Sequence, residues 1–262
     1  MTTAPDVRTA AHCLAALADQ RATGVLLGAT GALYLTDGRV THAESPVAPD
    51  LGALLTRSAA VDPDGWRDAV DRAGARRRVG RQLVDSGRLA AGALELCHLG
   101  ALFDAAYFVL GPGADDVRFR AGAAHWIGAV RPVPVDVLLR ECARRRALLD
   151  GIWPRPDVDS APLARAPLAT GARPRARTLP ARRRRVLAEI DGERTAAQIA
   201  SALACRAFHT LVELRRLAAD GLVTPAPRPP APHGPPPDWL PPVVEDPDTA
   251  LLRRLRDALE AL

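Results

Sequence analysis

The chain of 262 residues contains no lysine and no asparagine, so all 35 of its basic residues are arginine. Both missing residues are encoded by A/T-rich codons, and a GC-rich genome explains their absence before any nucleic-acid chemistry does. The formal net charge of +5 is therefore weak evidence for a polyanionic partner.

Cysteine is scarce and the hydrophobic runs are short. The four cysteines (Cys13, Cys97, Cys142 and Cys205) are far apart and form no CxxC pair, which predicts reduced and mostly buried thiols. The first residues lack the basic start and unbroken apolar core of a signal peptide. No stretch approaches the roughly 20 apolar residues of a membrane span. We therefore expect a cytoplasmic protein that makes no contact with a membrane.

Enzymatic signatures are also missing. Cys97, His98 and His125 match no zinc-binding spacing, and the glycine-rich stretches match neither a phosphate-binding loop nor a dinucleotide-binding turn. No Ser/His/Asp or Cys/His pair lies in a catalytic motif. We expect a non-enzymatic protein with no catalytic residues, no cofactor and no metal site.

The apolar content of 48% is sufficient for real hydrophobic cores, and the pattern changes along the chain indicate two domains. Residues 7–152 begin with a helix and three short strands, at about 24–28, 32–36 and 39–44, with a hairpin turn at Asp37-Gly38. Helical spacing then dominates residues 65–110 and the segment that closes the domain. This pattern predicts a small antiparallel-sheet domain with helices.

The rest of the chain is predicted as a linker over 153–178, a mainly helical domain over 179–225, and a tail. In the tail, ten of the eighteen residues from 225 to 242 are proline, so we predict a stiff spacer over 226–242. A short amphipathic helix is predicted over 243–262. The fold class is therefore α+β, with a helical second domain and a proline-rich tail.

Three motifs of the first domain resemble PATAN, an uncharacterised signalling domain of bacterial response regulators and GTPase-linked systems. They are the Asp37-Gly38 hairpin followed by His42-Ala43, the run from Val79-Gly80 to Gly87, and the double arginine Arg144-Arg145. The resemblance covers roughly residues 10–152. It implies an adaptor or sensor that makes protein contacts and self-associates as a homodimer, with no established catalytic residues.

The second domain resembles a winged helix. Thr195 is the expected N-cap of its second helix. The run from Leu217 to Gly221-Leu222-Val223 is the usual transition from the third helix to a strand. The resemblance implies a helix–turn–helix unit, which does not by itself establish DNA binding. Pro225 leaves little room for a wing.

Two hypotheses for this domain remain open. A DNA-binding transcriptional regulator would use arginines of the first helix on phosphates and residues of the third helix in the groove: Arg182, Arg183, Arg184, Arg185, Arg206, His209, Arg215 and Arg216. A protein adaptor in a GTPase- or kinase-linked system would use apolar residues of the third helix and the tail: Phe208, Val212, Trp239, Leu252, Leu255 and Leu259. The third helix has a mixed face, because Glu213 would repel phosphate.

Overall fold

The computed structural model describes residues 9–112, 116–166 and 179–226. Its mixed α+β architecture confirms the predicted fold class at that level. The predicted proline-rich spacer and C-terminal helix, with Trp239, Leu252, Leu255 and Leu259, lie outside the described residues.

Helices outnumber strands in the described part of the chain. The strands are β1 (Gly24–Gly28), β2 (Gly31–Thr36), β3 (Arg39–Glu44), β4 (Val117–Ala121), β5 (Val133–Pro134), β6 (Leu163–Arg165) and β7 (Val223–Pro225). The helices of the first half are α1 (Ala10–Asp19), α2 (Leu51–Arg57), α3 (Pro63–Ala73), α4 (Val79–Asp85), α5 (Ala91–Val109) and α6 (Val135–Ile152). They are followed by α7 (Asp157–Ser160), α8 (Ala181–Ala188), α9 (Ala196–Ala202) and α10 (Ala207–Ala219).

The main sheet is antiparallel, in the order β4-β1-β2-β3-β5. The predicted hairpin at Asp37-Gly38 is confirmed, and both residues have the positive φ (49° and 71°) that this tight turn requires. The register between β2 and β3 shifts between Tyr34 and Leu35. Beyond this bulge, His42 pairs with Tyr34, so that His42 and Glu44 lie on the same face of the sheet as the tyrosine.

Helix α5 packs in the interior of the first half. It shares one apolar core with the sheet, α1 and α6, and a second with α2, α3 and α4. Among the described residues, it is the one helix whose length and hydropathy would allow it to cross a membrane. Half of its apolar stretch is buried inside the fold, which is also typical of a central helix in a globular domain.

The second half contains the three predicted helices, and Thr195 and Gln198 form a reciprocal capping box at the start of α9. The interpretation of residues 153–178 as a plain linker is wrong for its first part, which contains α7 and β6. Strand β6 pairs with β7, and the core of the second half includes Leu149, Val158 and Leu163. The chain up to Ala226 therefore forms one compact unit.

Candidate functional site

Helix α10, the predicted recognition helix, is buried on more than one side. The predicted inward residues Ala207, Leu211, Leu214 and Leu217 are buried as expected. Phe208 and Val212, which we placed on the outward face, are buried as well. That part of the prediction is wrong, because α6 and α7 pack on this side of α10 and side chains of α5 contact Phe208.

Phe208 is held by residues of the first half. Its ring lies 4.5 Å from the guanidinium carbon of Arg145 and makes an edge contact with Tyr107, with ring centroids 5.6 Å apart. Its backbone N–H donates to Oδ2 of the buried Asp104 at 3.3 Å, while Arg145 Nη1 donates to Oδ1 at 2.8 Å. Asp104 therefore satisfies one of the free N–H groups at the start of α10.

Arg215 was predicted to face a DNA groove, but its side chain is only 2% exposed. The guanidinium forms two parallel hydrogen bonds to Asp159, Nε to Oδ1 at 2.8 Å and Nη2 to Oδ2 at 2.7 Å. It also donates to the carbonyl oxygens of Leu149 and Trp153. The predicted outward placement of Arg215 is wrong, because the end of α6 and the following segment fold over it.

Two other predicted DNA contacts are engaged inside the fold. The Arg206 guanidinium lies against Gly100, where a Cβ would collide with it, and its Nη2 donates to the Leu96 carbonyl oxygen at 3.3 Å. Arg183 donates to Glu213 and to Asp220, both at 3.0 Å. Glu213 is thus a buried partner of arginine instead of an exposed charge that would repel phosphate.

The remaining predicted DNA contacts are exposed. Arg184 donates to the Leu179 carbonyl oxygen at 2.7 Å, and Arg216 is 45% exposed and pairs with Glu213 at 3.1 Å. Arg182, Arg185 and His209 are exposed as well, and the described residues include no ion-pair partner for the two arginines. The basic surface that α8 presents is therefore small.

A second cluster of polar groups lies in the first half, and sequence reasoning did not predict it. His42 and Glu44 of β3, His98 of α5 and His125 of the segment after β4 come together, and the three imidazoles are buried. The alternation of His42 and Glu44 along one strand was a local signal that both side chains share a face. His125 follows Glu44 by 81 positions, so no sequence spacing indicates that the two meet.

The three imidazole rings are stacked. The centroids of His42 and His125 are 3.8 Å apart with an angle of 16° between their planes, and those of His42 and His98 are 5.5 Å apart. His42 Nδ1 lies 3.4 Å from His98 Nε2. His98 Nδ1 is buried and has no hydrogen-bond partner among the described residues.

Hydrogen bonds connect His125 to Glu44 and Tyr34. The Ile127 N–H donates to His125 Nδ1 at 3.2 Å, so the ring proton is on Nε2, which donates to Glu44 Oε1 at 2.9 Å. The Tyr34 hydroxyl donates to the other carboxylate oxygen at 3.2 Å. Glu44 thus accepts from two neighbours while its side chain remains 42% exposed.

The surroundings fix the charge of these groups at neutral pH. Burial, followed by the neighbouring His125 and His98, lowers the pKa of His42 to about 2. Burial also lowers the pKa of His98 to about 4. The hydrogen bond from His125 lowers the pKa of Glu44. Burial raises the pKa of Tyr34 to about 12. A carboxylate therefore lies beside neutral His42 and His98.

A cavity of about 380 Å³ lies next to this cluster. Glu44 is part of its wall, together with small residues at the ends of β1, β2 and β3 and within α5. Glu44 is therefore the member of the cluster that borders the cavity.

Comparisons of the chain with protein-family models, with curated proteins and with solved structures find no match.

Proposed function

We propose that this protein is a non-enzymatic, cytoplasmic regulatory protein of bacteria that acts through protein contacts. The observation that supports this function is that α10 packs against other helices of the same folded unit. Of the α10 side chains that the DNA hypothesis places in a groove, Arg215 is buried on Asp159, whereas His209 and Arg216 are exposed. Phe208 and Val212, which the adaptor hypothesis assigned to a partner, are buried as well, so a protein partner would bind at another surface. Helix α10 would have to separate from α6 and α7 before it could enter a groove.

The open edge of the sheet is a surface suited to a protein partner. Strand β4 pairs with β1 and has no neighbour on its other side among the described strands. Phe119 is exposed on one face of this edge, and Leu27 is exposed on the other, opposite Arg118. A partner strand that carries acidic and apolar residues would complement this edge.

The expected homodimer is part of the proposal, but β4 is a poor surface for it. An antiparallel pair of two β4 strands would bring Arg118 and Arg120 of each copy opposite arginines of the other. Directly opposed like charges destabilise a strand pair, so self-association is expected to use another surface.

DNA binding remains a second candidate because Arg182 and Arg185 are exposed and have no described ion-pair partner. These residues could contact phosphates without reading sequence. Such binding would be weak, since only a few charges contribute, and it would weaken further as the ionic strength rises.

Binding of the full-length protein to random-sequence duplex DNA, measured by fluorescence anisotropy over a salt series, separates the two functions. We expect no binding at about 150 mM salt. Any binding at low salt should be abolished by the double substitution Arg182→Ala, Arg185→Ala and unaffected by Arg216→Ala. Binding that persists at about 150 mM salt and is weakened about tenfold or more by Arg216→Ala would instead support a DNA-binding regulator.

A further inference from the structure

We propose that His42, Glu44 and His125 bind one divalent transition-metal ion, with zinc as the best match to the donor set. This inference departs from the expectation of no metal site, and it does not depend on the proposed function.

The donor atoms are already close together. One ring nitrogen from each histidine and one carboxylate oxygen of Glu44 all lie within 4.8 Å of one another. Zinc binds nitrogen and oxygen at about 2.0–2.2 Å in tetrahedral sites, which sets neighbouring donor atoms about 3.3–3.6 Å apart. To close the site around an ion, the donor atoms must move closer together and the nearly parallel rings of His42 and His125 must rotate out of their stack, since a ring nitrogen binds an ion in the plane of its ring.

Strand geometry preorganises half of the site. His42 and Glu44 are two residues apart on β3, so their side chains project from the same face. His125 is brought to them by the segment that connects β4 with β5 and stacks on the His42 ring. With three protein ligands, water would supply the fourth position of a tetrahedral ion.

The neighbouring residues match the outer shell of a metal site. Metal-binding histidines usually direct the second ring nitrogen at a hydrogen-bond partner, and metal-binding carboxylates are themselves hydrogen-bonded. His98 Nε2 is 3.4 Å from His42 Nδ1 and can accept a hydrogen bond from it. When the His42 proton is on Nδ1, His42 Nε2 is free to bind the ion. The Tyr34 hydroxyl holds the second oxygen of Glu44.

The chemistry of the donors selects the type of ion. Two imidazoles and one carboxylate suit zinc and other first-row transition metals, whereas magnesium and calcium prefer oxygen ligands throughout. The competing description is a metal-free column of imidazoles held by the Tyr34–Glu44–His125 hydrogen bonds. Burying three imidazoles against a carboxylate is costly compared with apolar packing, which favours a site that uses them.

Metal binding has a specific local consequence at His125. An ion at Nε2 replaces the proton now shared with Glu44, and a neutral imidazole then carries its proton on Nδ1. That nitrogen now accepts the Ile127 N–H at 3.2 Å, so this contact must break when the metal binds. The Ile127 amide is therefore a reporter inside the site.

The test is titration of the full-length protein, first stripped with a chelator, with zinc chloride in a calorimeter. We expect one ion per chain and an affinity at least tenfold lower in Glu44→Gln and in His125→Gln. Tyr34→Phe should lower the affinity by about tenfold or more, as expected for an outer-shell residue. The control His12→Gln removes an exposed histidine outside the cluster and should leave the affinity unchanged.

Two spectroscopic measurements add independent evidence. Substitution by cobalt should give the visible absorption of a tetrahedral ion, and zinc should shift the Ile127 amide in a nitrogen–proton correlation spectrum. Glu44→Gln replaces a partly exposed side chain with one of the same shape. It therefore tests metal binding even if the His125→Gln protein does not fold. No zinc binding by the wild-type protein, or equal affinity in wild-type and Glu44→Gln proteins, would overturn the proposal.

Discussion

Replacing Arg215 with alanine should destabilise the protein strongly, although the sequence predicts a surface residue. The guanidinium is 2% exposed and binds Asp159 through two nitrogens, with further bonds to the Leu149 and Trp153 carbonyl oxygens. Its removal leaves the Asp159 carboxylate without this partner and removes a donor from the Trp153 carbonyl oxygen, while the Leu149 carbonyl oxygen still accepts the Trp153 N–H. Truncating one member of such a buried pair costs about 3–5 kcal/mol.

Arg216→Ala is the matched control, because Arg216 is the next residue on the same helix. Its side chain is 45% exposed and, among the described residues, forms an ion pair only with Glu213. Exposed ion pairs contribute about 0–1 kcal/mol, so this substitution should change the free energy of unfolding by no more than that. Arg215→Lys should give an intermediate loss, since lysine keeps the charge but cannot form the two parallel hydrogen bonds.

The assay is urea unfolding at neutral pH, followed by circular dichroism, with the free energy of unfolding extrapolated to zero urea. A double-mutant cycle with Asp159→Ala isolates the coupling between the two side chains. Equal and small losses for Arg215→Ala and Arg216→Ala would refute the reasoning, since they would mean that Arg215 is not buried on Asp159.

Three further predictions concern the packing around α10 and the charges of α6. Phe208→Ala should lower the free energy of unfolding by about 3–5 kcal/mol because it leaves a cavity beneath Arg145. In the same urea assay, His209→Ala should change the free energy of unfolding by no more than about 0.5 kcal/mol. A fragment of residues 179–226 should show no cooperative thermal unfolding, since it lacks β6 and three core residues. A fragment of residues 1–226 should unfold cooperatively. Cooperative unfolding of the shorter fragment would contradict the shared core. Hydrogen bonds from Arg144 and Arg145 lower the pKa of Glu141 from 4.5 to about 2. Because this pKa is depressed on folding, the stabilisation is complete above pH 4.5 and is lost as the pH falls towards 2. The stability difference between wild-type and Glu141→Gln proteins should therefore shrink on acidification, and a difference that does not change between pH 7 and pH 3 would rule out this contribution.

Local sequence signals predicted the elements well because short-range physics determines them. Asp37-Gly38 adopts the turn that its residues favour, and Thr195 is the N-cap of α9 as expected. These features depend on backbone preferences and on contacts between residues a few positions apart. The winged-helix and PATAN resemblances themselves remain predictions.

Contacts between distant segments could not be predicted in the same way. A helical projection separates one face of α10 from the other, but it does not show that α6 and α7 pack on the second face. Arg215 meets Asp159 across 56 positions, and Glu44 meets His125 across 81. Arginine is mostly exposed in proteins and histidine is intermediate, so residue type alone does not predict that these particular side chains lie in the interior.

The most direct test of the central claim, that α10 is an internal part of one folded unit, is native-state hydrogen exchange of the full-length protein. We predict that the amides of residues 207–219 exchange only through global unfolding, with the same opening free energy as residues 101–109 of α5. Opening of α10 at a much lower free energy, while α5 stays protected, would contradict the claim and leave the helix free to meet DNA.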